Sequence, residues 1–264
     1  MVRFGAIGAA FSVLSLIFSS GSVPAQVHVN DLSTQEWETI WASVLMRHVN
    51  NAGQIDFSAL QQDRGNLERV IAFIASVAPN SQPNRFSEPQ SRIAYYINAY
   101  NALAMYGVLQ AGRPSSLGGL TKFTFFYLRK FTVGGGSISL YDLENQVIRP
   151  TGDERVHFAL NCMVVSCPRL PRTAFSAEPL DRQLNTAARA FIGETRNVMI
   201  DPVKREVWLS SIFKFYTDDF LAHAPSLIAY LNSYSSHKIP LDFKVRFLEY
   251  DWSVNDRSRQ GTRE

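Results

Sequence analysis

The sequence predicts an α+β fold, in which a helical N-terminal half packs a long buried helix on an antiparallel sheet. Helical periodicity dominates the first half of the chain, and the run between residues 87 and 111 is apolar nearly all round. The second half changes to short strands separated by turns, which is typical of hairpins. Helices first and hairpins later favour this class over an alternating α/β arrangement.

The first helix is predicted from its start signal. Ser33 and Glu36 have the spacing of a capping box, and an apolar stripe follows them. That stripe consists of Trp37, Ile40, Trp41, Val44, Leu45 and His48. The Asn-Asn-Ala-Gly sequence at 50–53 should end this helix, and a second helix is expected from about Leu67 to Val77.

The long buried helix is expected to begin at a second capping-box pattern, Ser87 to Gln90, and to end near Ala111. Asn98 and Asn101 lie three residues apart within it, so that their amides share one face. A buried amide needs hydrogen-bond partners. Either these two bind the backbone of an irregular loop, or one of them orients a catalytic group or polarises a substrate carbonyl.

The second half is predicted to contain a hairpin of Phe123 to Val133 with Ser137 to Leu140, joined by the three glycines at 134–136. A second hairpin is expected from Asn197 to Ile200 with Glu206 to Leu209, around Asp201-Pro202. Further strands are expected from Val156 to Cys162 and from Val245 to Tyr250. The predicted helices of this half span residues 179–192, 212–216 and 225–234, with a short one after the first hairpin.

Composition excludes several classes of protein. The 264 residues contain 26 Lys and Arg against 23 Asp and Glu, spread without long runs, so nucleic-acid binding is not expected. A hydrophobic content of 46% excludes a disordered chain. There are no internal repeats and no coiled-coil heptads, and the oligomeric state stays open.

The N-terminus has the features of a secretory signal peptide. Arg3 precedes an apolar run from Phe4 to Phe18, and Val23-Pro24-Ala25 resembles a cleavage site. The run is shorter than the roughly 20 residues that span a bilayer. We therefore expect a signal peptide at 1–25, a single domain at 26–264, a periplasmic or secreted location, and no membrane association after cleavage.

A histidine and two cysteines stand close together between residues 156 and 168. A cysteine is a useful nucleophile only as its thiolate, which a nearby protonated histidine or the positive end of a helix stabilises. If residues 156–162 form a strand, alternation places His157 on one face and Cys162 on the other. Cys162 then becomes a small core residue, and a turn after it could return Cys167 to the His157 face. Cys167 is therefore the preferred nucleophile.

Alternatives remain for the same residues. His157 could be a structural histidine with local hydrogen bonds. Export through an oxidising compartment favours a disulfide between Cys162 and Cys167, which the alternation opposes. Zinc bound by these three side chains would lack an obvious fourth ligand, so that no metal and no cofactor are expected.

Four blocks of the sequence resemble successive motifs of one family, the domain of unknown function 547. They are Tyr96 to Ala102, His157 to Cys162 with Ser166-Cys167-Pro168, Ile212 to Tyr216, and Tyr250 to Asn255. The resemblance covers about residues 37–255. It implies the exported, stand-alone bacterial type of this family and no particular activity.

The residues themselves suggest a cysteine-protease-like thiol site. In this hypothesis Cys167 attacks a carbonyl, His157 transfers the proton, and Asn98 or Asp251 holds the imidazole. Asn161, on the predicted His157 face, could donate to the oxyanion. The other expected binding residues are Asn101, Tyr100 and Ser166.

Two functions of different classes follow. The first is a thiol-dependent hydrolase or acyltransferase acting on amide or thioester bonds. The second is a non-catalytic binding module for a peptide or a small thiol such as glutathione, in which the Asn, His and Cys groups are structural. Either way the expected partner is a peptide or a small molecule, and not a nucleic acid.

Overall fold

The computed structural model of the protein describes residues 31–260. The expected signal peptide at 1–25 lies outside these residues. Within 31–260, none of the helices combines the length and the hydrophobicity needed to cross a bilayer.

The N-terminal half is helical, as predicted. Its helices are α1 (Thr34–His48), α2 (Phe57–Gln62), α3 (Gly65–Ser76) and α4 (Pro89–Gln110). The capping box at the start of α1 is confirmed, because the Glu36 amide donates to the Ser33 hydroxyl and the Ser33 amide donates to the Glu36 carboxylate. The short helix α2 was not predicted.

Helix α4 begins differently from the prediction. Its N-cap is Glu88, whose side chain makes no capping hydrogen bond, so the capping box expected at Ser87 is wrong. Pro89 occupies the first turn, where its fixed φ suits a helix and its missing N–H has no partner to lose. The end of the helix at Gln110 and its burial on nearly all sides agree with the prediction.

The second half holds two small sheets. β1 (Lys130–Val133) and β2 (Gly136–Ser139) form an antiparallel hairpin, and β3 (Val198–Asp201), β4 (Glu206–Leu209) and β5 (Lys244–Phe247) form a mixed sheet. In the mixed sheet β4 pairs antiparallel with β3 and parallel with β5. The α+β class and both hairpins are confirmed. The first strand is shorter than predicted, because residues Thr124–Leu128 form a π-helical turn.

Helix α4 reaches the first hairpin at one point of close approach. A side chain at Gly107 would lie 3.1 Å from the Phe125 ring and 3.2 Å from the Phe131 ring of β1. The other main neighbours of α4 are α3 and the π-helical turn Leu143–Ile148. The expectation that α4 packs on one antiparallel sheet is therefore wrong in detail, because helices and irregular segments cover most of it.

Short helices connect these elements. They are α5 (Leu120–Phe123), a π-helical turn (Thr124–Leu128), α6 (Leu140–Asp142), a 3₁₀ turn (Arg149–Thr151), α7 (Leu180–Gly193), α8 (Ser211–Phe215), α9 (Thr217–Leu221), α10 (Leu227–Tyr234) and α11 (Arg257–Gln260).

The strand predicted from Val156 to Cys162 does not form. Residues Glu154–Phe158 are a 3₁₀ helix, and Asp153 caps it by accepting a hydrogen bond from the Arg155 amide. Asp side chains favour such local turns over extended backbone. The alternation that separated His157 from Cys162 therefore does not apply.

Two hydrophobic clusters form the core. The larger one packs around α1, α3 and α4, and the smaller one around Phe158, Phe213 and Phe220. Tyr250 packs against both clusters. The Tyr250 ring is therefore held at the junction of the two clusters.

Candidate functional site

A cavity of about 310 Å³ lies beside Tyr250. Of the residues expected to act in catalysis or binding, His157, Cys167 and Tyr100 line it. The remaining lining residues are Lys122, Phe126, Tyr127, Tyr141, Glu144, Asn145, Arg149, Leu160, Cys162, Pro168, Ile212, Phe215, Tyr216, Tyr250 and Trp252.

Asn98 and Asn101 are fully buried and bind loop backbone. The Asn98 amide donates to the Phe175 carbonyl at 2.7 Å and accepts from the Phe175 N–H at 3.0 Å. The Asn101 amide donates to the Ala159 carbonyl at 3.0 Å and accepts from the Asn161 N–H at 2.7 Å. Of the two alternatives left by the sequence, binding to loop backbone is the one observed.

Asn161 holds the turn that leads to the cysteines. Its side chain donates to the Pro168 carbonyl at 2.6 Å and accepts from the Met163 N–H at 2.7 Å. Met163 has a φ of 69°, a left-handed conformation that non-glycine residues seldom adopt. The amide expected to donate to an oxyanion is thus engaged in stabilising a strained turn.

The C-terminal segment fixes the cysteine loop from outside. The Val165 amide donates to the Ser253 carbonyl, the Ser166 amide to the Asp251 carbonyl, and the Asp251 amide to the Ser166 hydroxyl. The Asp251 carboxylate accepts from the Ser253 amide at 2.8 Å and is exposed. Ser166 and Asp251 therefore fix the position of the loop.

Cys162 and Cys167 meet at the cavity wall. The Cys162 N–H donates to the Cys167 sulfur at 3.1 Å. The Tyr250 hydroxyl lies 3.4 Å from the Cys167 Sγ and 3.6 Å from the Cys162 Sγ. Both cysteines are free thiols, so the disulfide is not formed in this structure. The interpretation of Cys162 as a core residue on the opposite face is wrong, because the backbone turns where a strand was expected.

These contacts separate the pKa values of the two thiols. Burial alone would raise the pKa of Cys167, but hydrogen bonds from the Cys162 thiol, the Tyr250 hydroxyl and the backbone lower it overall. The hydrogen bond to Cys167, together with burial, raises the pKa of Cys162 well above its usual value. Cys167 therefore ionises first, and Cys162 remains a thiol that donates to it.

The imidazole of His157 is held by a residue that the sequence did not indicate. Its Nε2 lies 2.7 Å from a carboxylate oxygen of Asp219. Arg149 donates to both oxygens of the same carboxylate at 2.8 Å. The hydrogen bond from His157 and those from Arg149 hold the pKa of Asp219 well below its usual range. The expectation that Asn98 or Asp251 holds the imidazole is therefore corrected to Asp219.

The other nitrogen of His157 has no hydrogen-bond partner within residues 31–260. The ring is buried, stacked on Tyr216 at a centroid distance of 3.8 Å, and Phe220 packs edge-on at 5.6 Å. Because Asp219 accepts from Nε2–H, Nδ1 carries the lone pair of the neutral ring. No hydrogen bond joins His157 to either sulfur in this part of the chain, so the two groups share a cavity wall without direct contact.

The Glu144 carboxylate accepts hydrogen bonds from two tyrosines, one of which is the Tyr216 that stacks on His157. Tyr100 donates to one oxygen of this carboxylate at 3.0 Å, and Tyr216 donates to the other oxygen. Burial and the Glu144 charge raise the pKa of both tyrosines. Arg149 also lies over the Tyr216 ring, 5.3 Å from its centroid. The phenols of Tyr100 and Tyr216 therefore stay neutral.

Sequence reasoning missed Asp219, Glu144 and the role of Tyr250. One signal was available for Asp219, which follows Tyr216 by three residues and so lies on the same side of the chain as the ring that stacks on His157. Tyr250 stood within a motif already recognised. Across residues 31–260, no group of three or more His, Cys, Asp or Glu is arranged to hold a metal ion.

Comparison with known proteins bears on the middle of the chain. Residues 83–192 match the family model described as Protein of unknown function, DUF547. This segment contains α4, His157 and both cysteines, whereas Asp219 and Tyr250 follow it. No curated protein matches the chain, and no solved structure matches it. Over residues 83–192 the chain is therefore similar to the DUF547 family.

Proposed function

We propose that the protein is a thiol-dependent hydrolase or acyltransferase in which Cys167 is the nucleophile and the substrate is an amide or thioester. The observation that carries this proposal is the environment of the Cys167 sulfur. It accepts the Cys162 N–H, lies beside the Tyr250 hydroxyl, has a lowered pKa and lines a cavity large enough for a small ligand. Nucleophilic cysteines occupy such sites.

In the proposed step the Cys167 thiolate attacks the carbonyl carbon, and a carbon–sulfur bond forms. The bond to the nitrogen or sulfur of the leaving group then breaks, and the leaving group takes a proton from the imidazole. Asp219 fixes the Nε2 proton of His157, so Nδ1 is the nitrogen that gains and gives the proton. Water or a second nucleophile removes the acyl group and restores the thiol.

Tyr250 supplies the donor that this step needs. Burial and the neighbouring thiols raise the pKa of its hydroxyl, which therefore stays protonated. In the resting site the hydroxyl stabilises the thiolate. Once the sulfur has bonded to carbon its negative charge is gone, and the same hydroxyl is available to the developing oxyanion.

The second candidate is a binding module for a peptide or a small thiol such as glutathione. One observation favours it, namely that His157 makes no hydrogen bond to either sulfur within the part of the chain that the structure describes. Catalytic sites without a bound ligand often have such loose geometry. The enzyme therefore remains the preferred candidate. For either candidate we retain export to the periplasm or outside the cell as part of the proposal, so assays should include a reductant.

The test has two stages on the reduced, folded protein without residues 1–25. Iodoacetamide at pH 6, followed by peptide mass spectrometry, should label Cys167 much faster than a free thiol, and Cys167→Ser should remove the label. An inert Cys167 would sink the enzyme proposal.

In the second stage a p-nitrophenyl ester or an S-acyl glutathione should give an acyl adduct on Cys167 and then turnover. His157→Ala should reduce turnover by about 100-fold while the thiol remains reactive. The matched control is His223→Ala, because His223 is 44% exposed and binds the Gly152 carbonyl and Glu154. Fast alkylation without any acyl adduct would favour the binding module.

A further inference from the structure

Lys122 is a cation on the cavity wall that has no ion-pair partner within residues 31–260. It lies on α5, and its ammonium group is 4.4 Å from the centroid of the Trp252 ring and 6.0 Å from that of Phe215. Cation–π contacts of this kind hold a lysine in place without neutralising its charge.

The other charged groups of the same wall are already engaged. Arg149 forms two hydrogen bonds with Asp219 and one with Asn145. Glu144 accepts from two tyrosines. The ammonium group of Lys122 is therefore the charged group of this wall that is available to a ligand. It lies beside the aromatic faces of Trp252 and Phe215.

A continuous series of contacts connects Lys122 to the nucleophile. The Trp252 ring under the ammonium lies 4.7 Å from the Tyr250 ring, and the Tyr250 hydroxyl lies 3.4 Å from the Cys167 Sγ. The cation and the sulfur are thus separated by two aromatic side chains along one wall. A ligand that touches both must carry its charge several bonds away from its reacting carbon.

We infer that Lys122 binds a carboxylate of the substrate, which makes the substrate class an acyl compound whose free carboxylate is several bonds from the reacting carbonyl. This inference rests on the proposed function. A single ammonium group suits a monoanionic carboxylate, whereas a phosphate ordinarily takes several donors. The other cation that lines the cavity, Arg149, is paired with Asp219. The rings of Trp252 and Tyr250 would contact the apolar part of the substrate that connects its carboxylate to its reacting carbonyl.

The experiment uses a set of alkylating probes of graded length. They are the N-iodoacetyl derivatives of glycine, β-alanine and γ-aminobutyrate, each compared with its methyl ester. Cys167 displaces iodide from each probe and forms a thioether, so that rate constants follow from the appearance of the labelled peptide. Each acid-to-ester ratio is divided by the same ratio for N-acetylcysteine.

At one or more lengths the acid should react about fivefold faster than its ester, and added salt should reduce this preference. Lys122→Met keeps the apolar stem and removes the charge. In this variant the acid-to-ester ratio should equal that of N-acetylcysteine, which is a normalised value of 1. Lys122→Arg should restore the preference. Lys204→Met is the control, because Lys204 is exposed, pairs with Asp201 and lies in the β3–β4 turn, and it should leave every ratio unchanged. Equal rates for acids and esters at all lengths would overturn the inference.

A second measurement does not depend on the reactivity of Cys167. In the Cys167→Ser protein, tryptophan fluorescence should report saturable binding of N-acetyl-β-alanine or its γ-aminobutyrate homologue, and weaker binding of the methyl esters. Trp252→Phe should remove most of the signal. If Cys167 proves inert while this Lys122-dependent binding persists, the proposed enzyme fails and the carboxylate site stands. If the acids and the esters bind equally, the carboxylate site fails.

Discussion

Two groups of buried polar residues lie side by side in this protein and differ in one respect. In the amide framework, formed by Asn98, Asn101 and Asn161, both ends of every side chain are bonded to backbone. On the cavity wall, His157 keeps a nitrogen without a partner among residues 31–260, and Cys167 has a lowered pKa. Polar groups whose hydrogen bonds are all satisfied thus hold the chain in place, whereas the neighbouring His157 nitrogen keeps an unused lone pair and the Cys167 thiol ionises more easily than usual.

The framework exists because the segment from 159 to 175 is irregular. Backbone groups in such a segment lack the regular partners of a helix or a strand, and those that are buried need other partners, among them side chains. The amides of α4 and of Asn161 provide them at fixed positions. The wall depends on this support, since Asn161 sets the turn that brings Cys167 to Cys162.

The largest expected effect is on the framework. Asn98→Ala removes both hydrogen bonds to Phe175 and leaves a buried N–H and a buried carbonyl without partners. We expect the free energy of unfolding to fall by about 3 kcal/mol. Urea unfolding followed by circular dichroism measures this change.

The matched control for that variant is Gln90→Ala, an exposed position in the first turn of the same helix, which should change stability by less than about 0.5 kcal/mol. The folded fraction of Asn98→Ala should still alkylate at Cys167. A catalytic rather than structural role for Asn98 would show the reverse result, with intact stability and lost turnover.

The second effect concerns Asp219, whose carboxylate contacts both His157 of the cavity wall and the Arg149 guanidinium. Asp219→Asn should cost about 2 kcal/mol near neutral pH, since it removes a charge that Arg149 and His157 both contact. The folded pKa of Asp219 is depressed, so its stabilisation is present above the ordinary aspartate pKa of about 4 and is lost as the pH falls further. The stability difference between wild type and variant should therefore narrow below about pH 4.

Unfolding experiments between pH 7 and pH 3 test this dependence. Asp218→Asn is the control, because Asp218 is the adjacent exposed carboxylate. A difference from wild type that stays constant down to pH 3 would show that the Asp219 charge does not stabilise the fold.

Elements whose signals are local in the chain could be predicted from the sequence. Helices α1, α3 and α4 carry strong local signals, such as the Ser33 capping box, and the sequence predicts them, whereas it misses the short α2 and the true start of α4. The sequence also places His157 near Cys167, and both residues line one cavity. These features depend on residues that are close in the chain.

The errors came from contacts between distant segments. Asp219 follows His157 by 62 positions and Tyr250 follows Cys167 by 83, and no local pattern reports such pairings. The predicted strand at 156–162 failed for another reason, because a single capping residue, Asp153, favours a turn that hydrophobic alternation does not reveal. From that error followed the wrong placement of Cys162.

The third effect tests the role of Cys162 at the wall. Cys162→Ala removes the thiol that donates to Cys167 but keeps the backbone N–H contact. The pKa of Cys167 should rise by up to about one unit, and alkylation near pH 7 should slow by about fivefold. Rates measured from pH 5 to pH 9 give the pKa directly. Cys162→Ser retains a donor and should fall between the alanine variant and wild type, whereas an unchanged profile in both variants would remove Cys162 from the site.

The smallest expected effect belongs to Tyr250. Its hydroxyl lies 3.4 Å from the Cys167 Sγ, whereas the Cys162 backbone nitrogen lies 3.1 Å from the same sulfur. Tyr250→Phe keeps the ring that packs against both core clusters and removes the hydroxyl alone, so the pKa of Cys167 should rise by about half a unit and alkylation should slow by about threefold. Tyr141→Phe is the control on the same cavity, since Tyr141 is 41% exposed. If the hydroxyl also stabilises the oxyanion, acyl transfer should fall far more than alkylation in Tyr250→Phe. Equal losses in the two assays would limit Tyr250 to the resting thiolate.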